Sequence, residues 1–162
     1  METYLARERA GPRPRTTATN PHTQLDQNAP PDLQEKVFDL ARSLPGVATG
    51  PSAISVPGAR AFCLPACGQA KRDAFLIDCE FAHIHPPRDG SLHMTLPPAI
   101  LDTVIANGWA ELHPLAGQRG LPGNIVMVYG PRDADELAVV ADLVRASHGW
   151  ATTGDRNVWS RA

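Results

Sequence analysis

The apolar positions along the chain change their spacing several times, and each change marks an element. From Pro31 the run PDLQEKVFDLARSLPG places Leu33, Val37, Phe38, Leu40, Ala41 and Leu44 at helical spacing, with prolines at its start and Pro45-Gly46 at its end. This predicts a helix near 32–44. Between Val47 and Pro97 the pattern breaks into short β-rich runs, VATGPSAISV, ARAFCLP, DAFLIDCEFAHIHP and GSLHMTLP, separated by Gly, Pro and Asp. Antiparallel strands joined by hairpins are expected there, since no segment is long enough for crossover helices.

Helical spacing returns after Pro97-Pro98, where Ile100, Leu101, Val104 and Ile105 form an apolar face closed by Asn107-Gly108. WAELHPL and NIVMVYG read as strands, and Asp133-x-x-Glu136 opens a last helix carrying Leu137, Val140, Leu143 and Val144. The predicted order is α-β-β-β-β-α-β-β-α, with helices near 32–44, 98–107 and 133–147. That order fits a single α+β domain over 31–162: an antiparallel sheet with helices packed mainly on one face. Residues 1–30, rich in Pro, Thr, Asn, Gln and Arg and without periodicity, are expected to be a disordered tail.

Composition narrows the function classes. Fifteen basic against seventeen acidic side chains give a formal net charge of −2 over 162 residues, which disfavours nucleic acid as a partner. Arg7, Arg9, Arg13 and Arg15 in the tail are better read as solvated than as an anion site. No apolar run reaches the roughly 18–20 residues of a membrane helix, and no apolar leader follows the N-terminal arginines, so a soluble cytoplasmic protein is expected. Cys63, Cys67 and Cys79 are odd in number and poorly spaced for a zinc knuckle; free thiols are expected. Phosphate-binding loops, G-x-G-x-x-G and G-x-S-x-G are absent.

Candidate chemistry concentrates in EFAHIHPPRDGSLHM, which holds His83, His85 and His93. His-x-His spacing on a strand turns two imidazoles to one face, and the turn PPRDG implies a hairpin from about Phe75 to Leu96. Two registers are open. If paired numbers sum to 176, His83 lies opposite His93, three imidazoles can share a divalent metal such as Zn²⁺ or Fe²⁺, and strand alternation puts Glu80 on the other side. If they sum to 177, His93 joins Glu80, Ser91 and Thr95 on a polar face suited to metal-free acid/base work. Apolar patterning favours 177, because it matches Phe75, Ile77, Cys79 and Phe81 with Leu92, Met94 and Leu96. In a purely structural reading, the histidines are satisfied by backbone carbonyls. On the next strand Trp109, Glu111 and His113 alternate onto one face as a pocket wall, His113 as a further catalytic candidate. Arg132, ahead of a helix N-terminus, is placed to receive an anionic group.

The combination of E-F-A-H-x-H, G-S-L-H, G-W-A-E-x-H-P and G-P-R-D across about residues 35–154 resembles the small bacterial and fungal proteins grouped as the luciferase-domain family. The resemblance implies a compact single domain of intracellular type. The functional expectation is a small-molecule enzyme, such as a tailoring oxidase, isomerase or cyclase of secondary metabolism, with a pocket lined by Glu80, His83, His85, His93, Trp109 and His113. The competing expectation is a non-catalytic ligand-binding or interaction domain.

Overall fold

A computed structural model describes residues 5–68 and 72–153. Its elements follow the predicted order: α1 (Pro31–Ser43), β1 (Ala48–Pro51), β2 (Arg60–Cys63), β3 (Glu80–Ile84), β4 (Leu92–Thr95), α2 (Pro98–Ala106), β5 (Ala110–Leu112), β6 (Ile125–Val128) and α3 (Ala134–Thr153), with a short 3-10 turn at Arg72–Ala74. The strands form one six-stranded sheet in the order β1-β2-β3-β4-β6-β5, every neighbour antiparallel. This is the expected α+β architecture.

Local chemistry accounts for the helix limits. Pro31 opens α1, where a missing N–H costs nothing, and the chain turns extended at Leu44 before Gly46 takes a left-handed φ of 76°. At α3 the carboxylate of Asp133 accepts the backbone N–H of Glu136 at 2.9 Å, the expected cap. This helix continues to Thr153 because Ala146, Ser147, Trp150 and Ala151 are still buried.

The two faces of the sheet differ in chemistry. Ala82, Ile84, Leu92, Met94, Val126 and Val128 join Val37, Ala41, Val139, Val140, Leu143, Val144 and Trp150 in the apolar core beneath the helices. The opposite face carries a row that crosses five strands: Ala61, His83, His93, Met127 and Glu111 are successive cross-strand partners.

The pairing His83↔His93 is the 176 register, and the apolar argument for 177 fails. That argument needs Phe75 to Phe81 to continue β3, but the chain reverses at Asp78, whose φ is +46°, and β3 begins at Glu80. A bulge also intervenes: Phe62 pairs with Ala82 while Cys63 pairs with Glu80, so Phe81 is the extra residue. Alternation resets there, and Phe81 packs against Phe62 in the core while Glu80 turns to the face of His83. The expectation that this register leaves Glu80 on the other side is corrected by the bulge.

Two further expectations are overturned. Cys67 and Cys79 form a disulfide, with Cα atoms 5.8 Å apart, and Cys63 alone is a free thiol. Hydrogen bonds from Leu64 N to Cys79 O and from Cys67 N to Leu64 O fold the two cysteines together, a tertiary proximity that counting cannot reveal. The supposed disordered tail is, over residues 5–30, laid onto the fold, with Arg9, His22, Gln24 and Ala29 buried. Its polar residues are satisfied by the domain: Gln24 N donates to Asp89 and Gly130 N donates to the Gln24 side chain. Composition registers the shortage of apolar residues but not this set of partners.

Candidate functional site

Five histidines meet on the polar face, four from the sheet region and one from the N-terminal segment. His83, His85 and His93 are brought together by the β3–β4 register, and His113 follows β5. His22 is held over them by a loop closed through the Thr16↔Gln24 bridge. His22, His83, His85 and His93 are each at most 6% exposed. Their rings are in mutual contact: His85 and His93 centroids are 4.5 Å apart edge to face, and His22 stacks on His93 at 5.2 Å.

The nitrogen geometry is more specific than ring contact. His83 Nε2 and His85 Nε2 each lie 3.2 Å from His93 Nδ1, so three nitrogens converge on one point. The far side of each ring is engaged. His83 Nδ1 is 2.8 Å from Glu80 Oε1, His85 Nδ1 is 3.0 Å from Asp89 Oδ2, and His93 Nε2 is 3.1 Å from His22 Nδ1. His22 Nε2 in turn is 2.6 Å from Glu111 Oε1, and Glu111 Oε2 accepts the Tyr129 hydroxyl at 2.8 Å. A carboxylate can only accept, so the hydrogen bonds assign a proton to Nδ1 of His83 and His85 and leave both Nε2 lone pairs facing inward.

That donor set fits a metal ion. Nitrogens 3.2 Å apart subtend about 100° at an ion roughly 2.0–2.1 Å from each, close to the tetrahedral angle zinc prefers. With a cation there, every proton has one place: His93 donates from Nε2 to His22 Nδ1, and His22 donates from Nε2 to Glu111. Each ligand ring is thus backed by a carboxylate, directly for His83 and His85 and through His22 for His93, the arrangement that orients imidazole ligands.

The electrostatics point the same way. Burial pushes His83 below the ordinary imidazole value; it pushes His93 well below, with the neighbouring rings adding to the effect. Both are therefore neutral and ready to ligate at neutral pH. Burial alone would raise Asp89 and Glu111, but hydrogen bonds, led by those to His85 and to His22, hold both carboxyls below their usual range. Glu80, 3% exposed, also accepts from Ser52 Oγ at 2.7 Å and Ala53 N at 3.1 Å. Among the described residues the ion-pair partners of Glu80, Asp89 and Glu111 within 4.0 Å are histidines. Three carboxylates behind the imidazoles make a cation-seeking well.

A pocket of about 210 Å³ opens onto this cluster, lined by His22, His83, His85, His93 and His113, by Asn20, Pro21 and Ser55, and by Ile54, Val56, Leu76, Leu115, Leu121 and Ile125. None of these side chains carries a fixed charge. His113 Nδ1 accepts the Leu115 N–H at 3.0 Å, which leaves its proton on Nε2, and burial lowers its pKa to about 4.

The remaining sequence candidates have other positions. Glu111 is at the site, but behind His22 rather than on the pocket wall. Trp109 is 3% exposed in the apolar core and donates its indole N–H to Arg7 O at 2.7 Å, so it lines no pocket. Arg132 is engaged by Glu136, Gln27 and Ala10 O, clamping the N-terminal segment rather than receiving an anion. The sequence reading missed His22, Asp89 and Tyr129. For Asp89 a signal existed, an acidic residue in the turn between the two histidine-bearing strands; for His22 there was none.

The luciferase-domain family profile matches residues 78–147. A luciferase of Armillaria ostoyae is 42% identical over 76 residues, 45% of this chain and 28% of that relative. Luciferases of Armillaria gallica, 39% identical over 82 residues (49% of this chain, 30% of the relative), and of Neonothopanus nambi, 40% identical over 76 (45% and 28%), match similarly. The chain spans less than a third of the length of these relatives. No solved structure matches it. The matched segment contains Glu80, His83, His85, Asp89, His93, Glu111 and His113, and through it this chain is similar to the luciferase-domain family.

Proposed function

We propose that the chain is a metal-dependent enzyme acting on a small organic molecule, with His83 Nε2, His85 Nε2 and His93 Nδ1 as the protein ligands of one divalent ion. The observation that carries the reading is the convergence of His83 Nε2 and His85 Nε2 on His93 Nδ1, each at 3.2 Å, with both Nε2 lone pairs turned inward by carboxylates. Three imidazole ligands leave coordination positions open, and a bound ion there would supply Lewis-acid polarisation of a ligated oxygen. The residues around it bind and orient. Ile54, Val56, Leu76, Leu115, Leu121 and Ile125 offer apolar surface, and the absence of fixed charge among the lining residues favours an uncharged, largely apolar substrate. His113, with its proton on Nε2, is a neutral hydrogen-bond donor for a substrate oxygen.

The relatives bear the name of an enzyme, luciferase, which supports catalysis over simple binding. Tailoring oxidase, isomerase and cyclase chemistry are each compatible with such a centre, and the substrate separates them. Among the described residues no helix is long and apolar enough to cross a membrane. The test is elemental analysis of untagged protein, followed by titration with Zn²⁺ and Co²⁺ after chelation. One ion per chain is expected, lost in His83→Ala and His93→Ala variants that keep the native circular dichroism. Failure of the wild-type chain to take up any first-row ion would overturn the metal reading and favour the non-catalytic binding domain.

A further inference from the structure

The geometry points to His22, delivered by the N-terminal segment outside the family match, as the positioning residue that fixes the tautomer and orientation of His93. The inference rests on the metal reading above and concerns a part of the chain that the family-profile match, residues 78–147, does not contain.

His83 and His85 are oriented by carboxylates on or beside their own hairpin, Glu80 and Asp89. His93 has no such neighbour: its cross-strand partners are His83 and Met127, and Met127 separates it from Glu111 along the row. His22 spans that gap. Its Nδ1 lies 3.1 Å from His93 Nε2, its Nε2 lies 2.6 Å from Glu111 Oε1, and its ring stacks on His93 with an interplanar angle of 18°. Accepting the His93 Nε2–H is what turns the Nδ1 lone pair towards His83 and His85. Glu111 is itself fixed by Thr16 Oγ1 at 2.7 Å and the Tyr129 hydroxyl at 2.8 Å.

The segment that brings His22 in is anchored for that purpose along its length. Gln24 N donates to Asp89 Oδ2 at 3.1 Å, and Asn28 Nδ2 donates to Asp89 O at 2.9 Å, so the segment grips the same turn residue that orients His85. His22 is 2% exposed, so its ordering follows from burial rather than from solvent contact. A purely structural histidine would be indifferent to which of its nitrogens faces His93; a positioning residue is not.

The experiment compares Zn²⁺ affinity by chelator competition, and the visible spectrum of the Co²⁺-loaded protein, for wild type, His22→Ala, His22→Asn, His22→Gln and Glu111→Gln. Loss of an oriented outer partner typically weakens metal binding about 10–100-fold, so His22→Ala is expected in that range with an altered Co²⁺ spectrum. His22→Asn, whose Oδ1 can stand where Nδ1 stood and accept the His93 proton, is expected to recover most of the affinity; His22→Gln, whose acceptor lies nearer the Nε2 position, is expected not to. Glu111→Gln keeps the chain folded around an isosteric acceptor and should give a smaller loss. Equal affinity in His22→Ala and wild type, with His93→Ala still abolishing binding, would overturn the proposal and leave the metal site standing. No rescue by His22→Asn in a protein with wild-type melting behaviour would also overturn it. If the wild-type chain takes up neither ion, the metal reading itself has failed. Should His22→Ala not fold, the Asn, Gln and Glu111→Gln variants decide the matter alone.

Discussion

Gly90→Ala perturbs the turn that orients His85, and its cost follows from three contacts. Gly90 has φ +72°, where a side chain costs about 1–2 kcal/mol. A Cβ built there would lie 2.5 Å from Gln34 Nε2 and 2.6 Å from its Cδ, too close to coexist. Gln34 has little freedom to retreat, being 2% exposed with its Nε2 donating to Ala29 O and Pro87 O, both at 2.8 Å. Displacing it forfeits two buried hydrogen bonds, worth about 1 kcal/mol each in net stability. The sum is about 3–4 kcal/mol, or a fall of about 2 M in the urea midpoint for an ordinary slope. Gln34→Ala removes the obstacle, so in that background Gly90→Ala should cost only the backbone part, giving a coupling of about 2 kcal/mol in a double-mutant cycle. Equilibrium urea unfolding of the four proteins reads this directly. A Gly90→Ala cost under about 1 kcal/mol, or an equal cost in both backgrounds, would refute the reasoning.

Other expectations follow from the same geometry. Because folded His83, His93 and His113 have pKa values below the free imidazole's 6.5, the unfolded chain binds more protons in acid; stability should be full above about pH 6.5 and fall progressively below it, with Asp89 and Glu111 adding a further loss as the pH drops through their depressed values. Urea midpoints that stay level or rise from pH 7 to pH 5 would contradict this. In denaturant, one thiol per chain should react without reduction and three after it, and in the native protein Cys63 should react slowly because burial pushes its thiol up. Trp109→Ala should cost about 3–5 kcal/mol in unfolding experiments while leaving Zn²⁺ affinity within a few-fold of wild type, since the ring is core and not pocket.

Much of the molecule was legible in the chain because its periods are local. Helix starts at Pro31, Pro98 and Asp133, and stops at Pro45-Gly46 and Asn107-Gly108, depend on residues within one turn of each boundary, so element order and these helix boundaries emerged nearly unaltered. The His-x-His of β3 and the histidine of β4 were visible as candidates for the same reason. What decided the site was pairing across the sheet. The bulge at Phe81 is a property of two strands, and it both set Glu80 beside His83 and freed Phe81 for the core. Apolar patterning misread the register because it assumed one long strand where Asp78 reverses the chain. His22 and the Cys67–Cys79 bond lay further from sequence reach: each is fixed by partners far from it in sequence or brought near only by the fold. A polar segment reads as disordered when judged by the apolar area it can bury, yet here its hydrogen bonds to Asp89, Gly130 and Glu111 hold it, and those partners exist only once the sheet has formed.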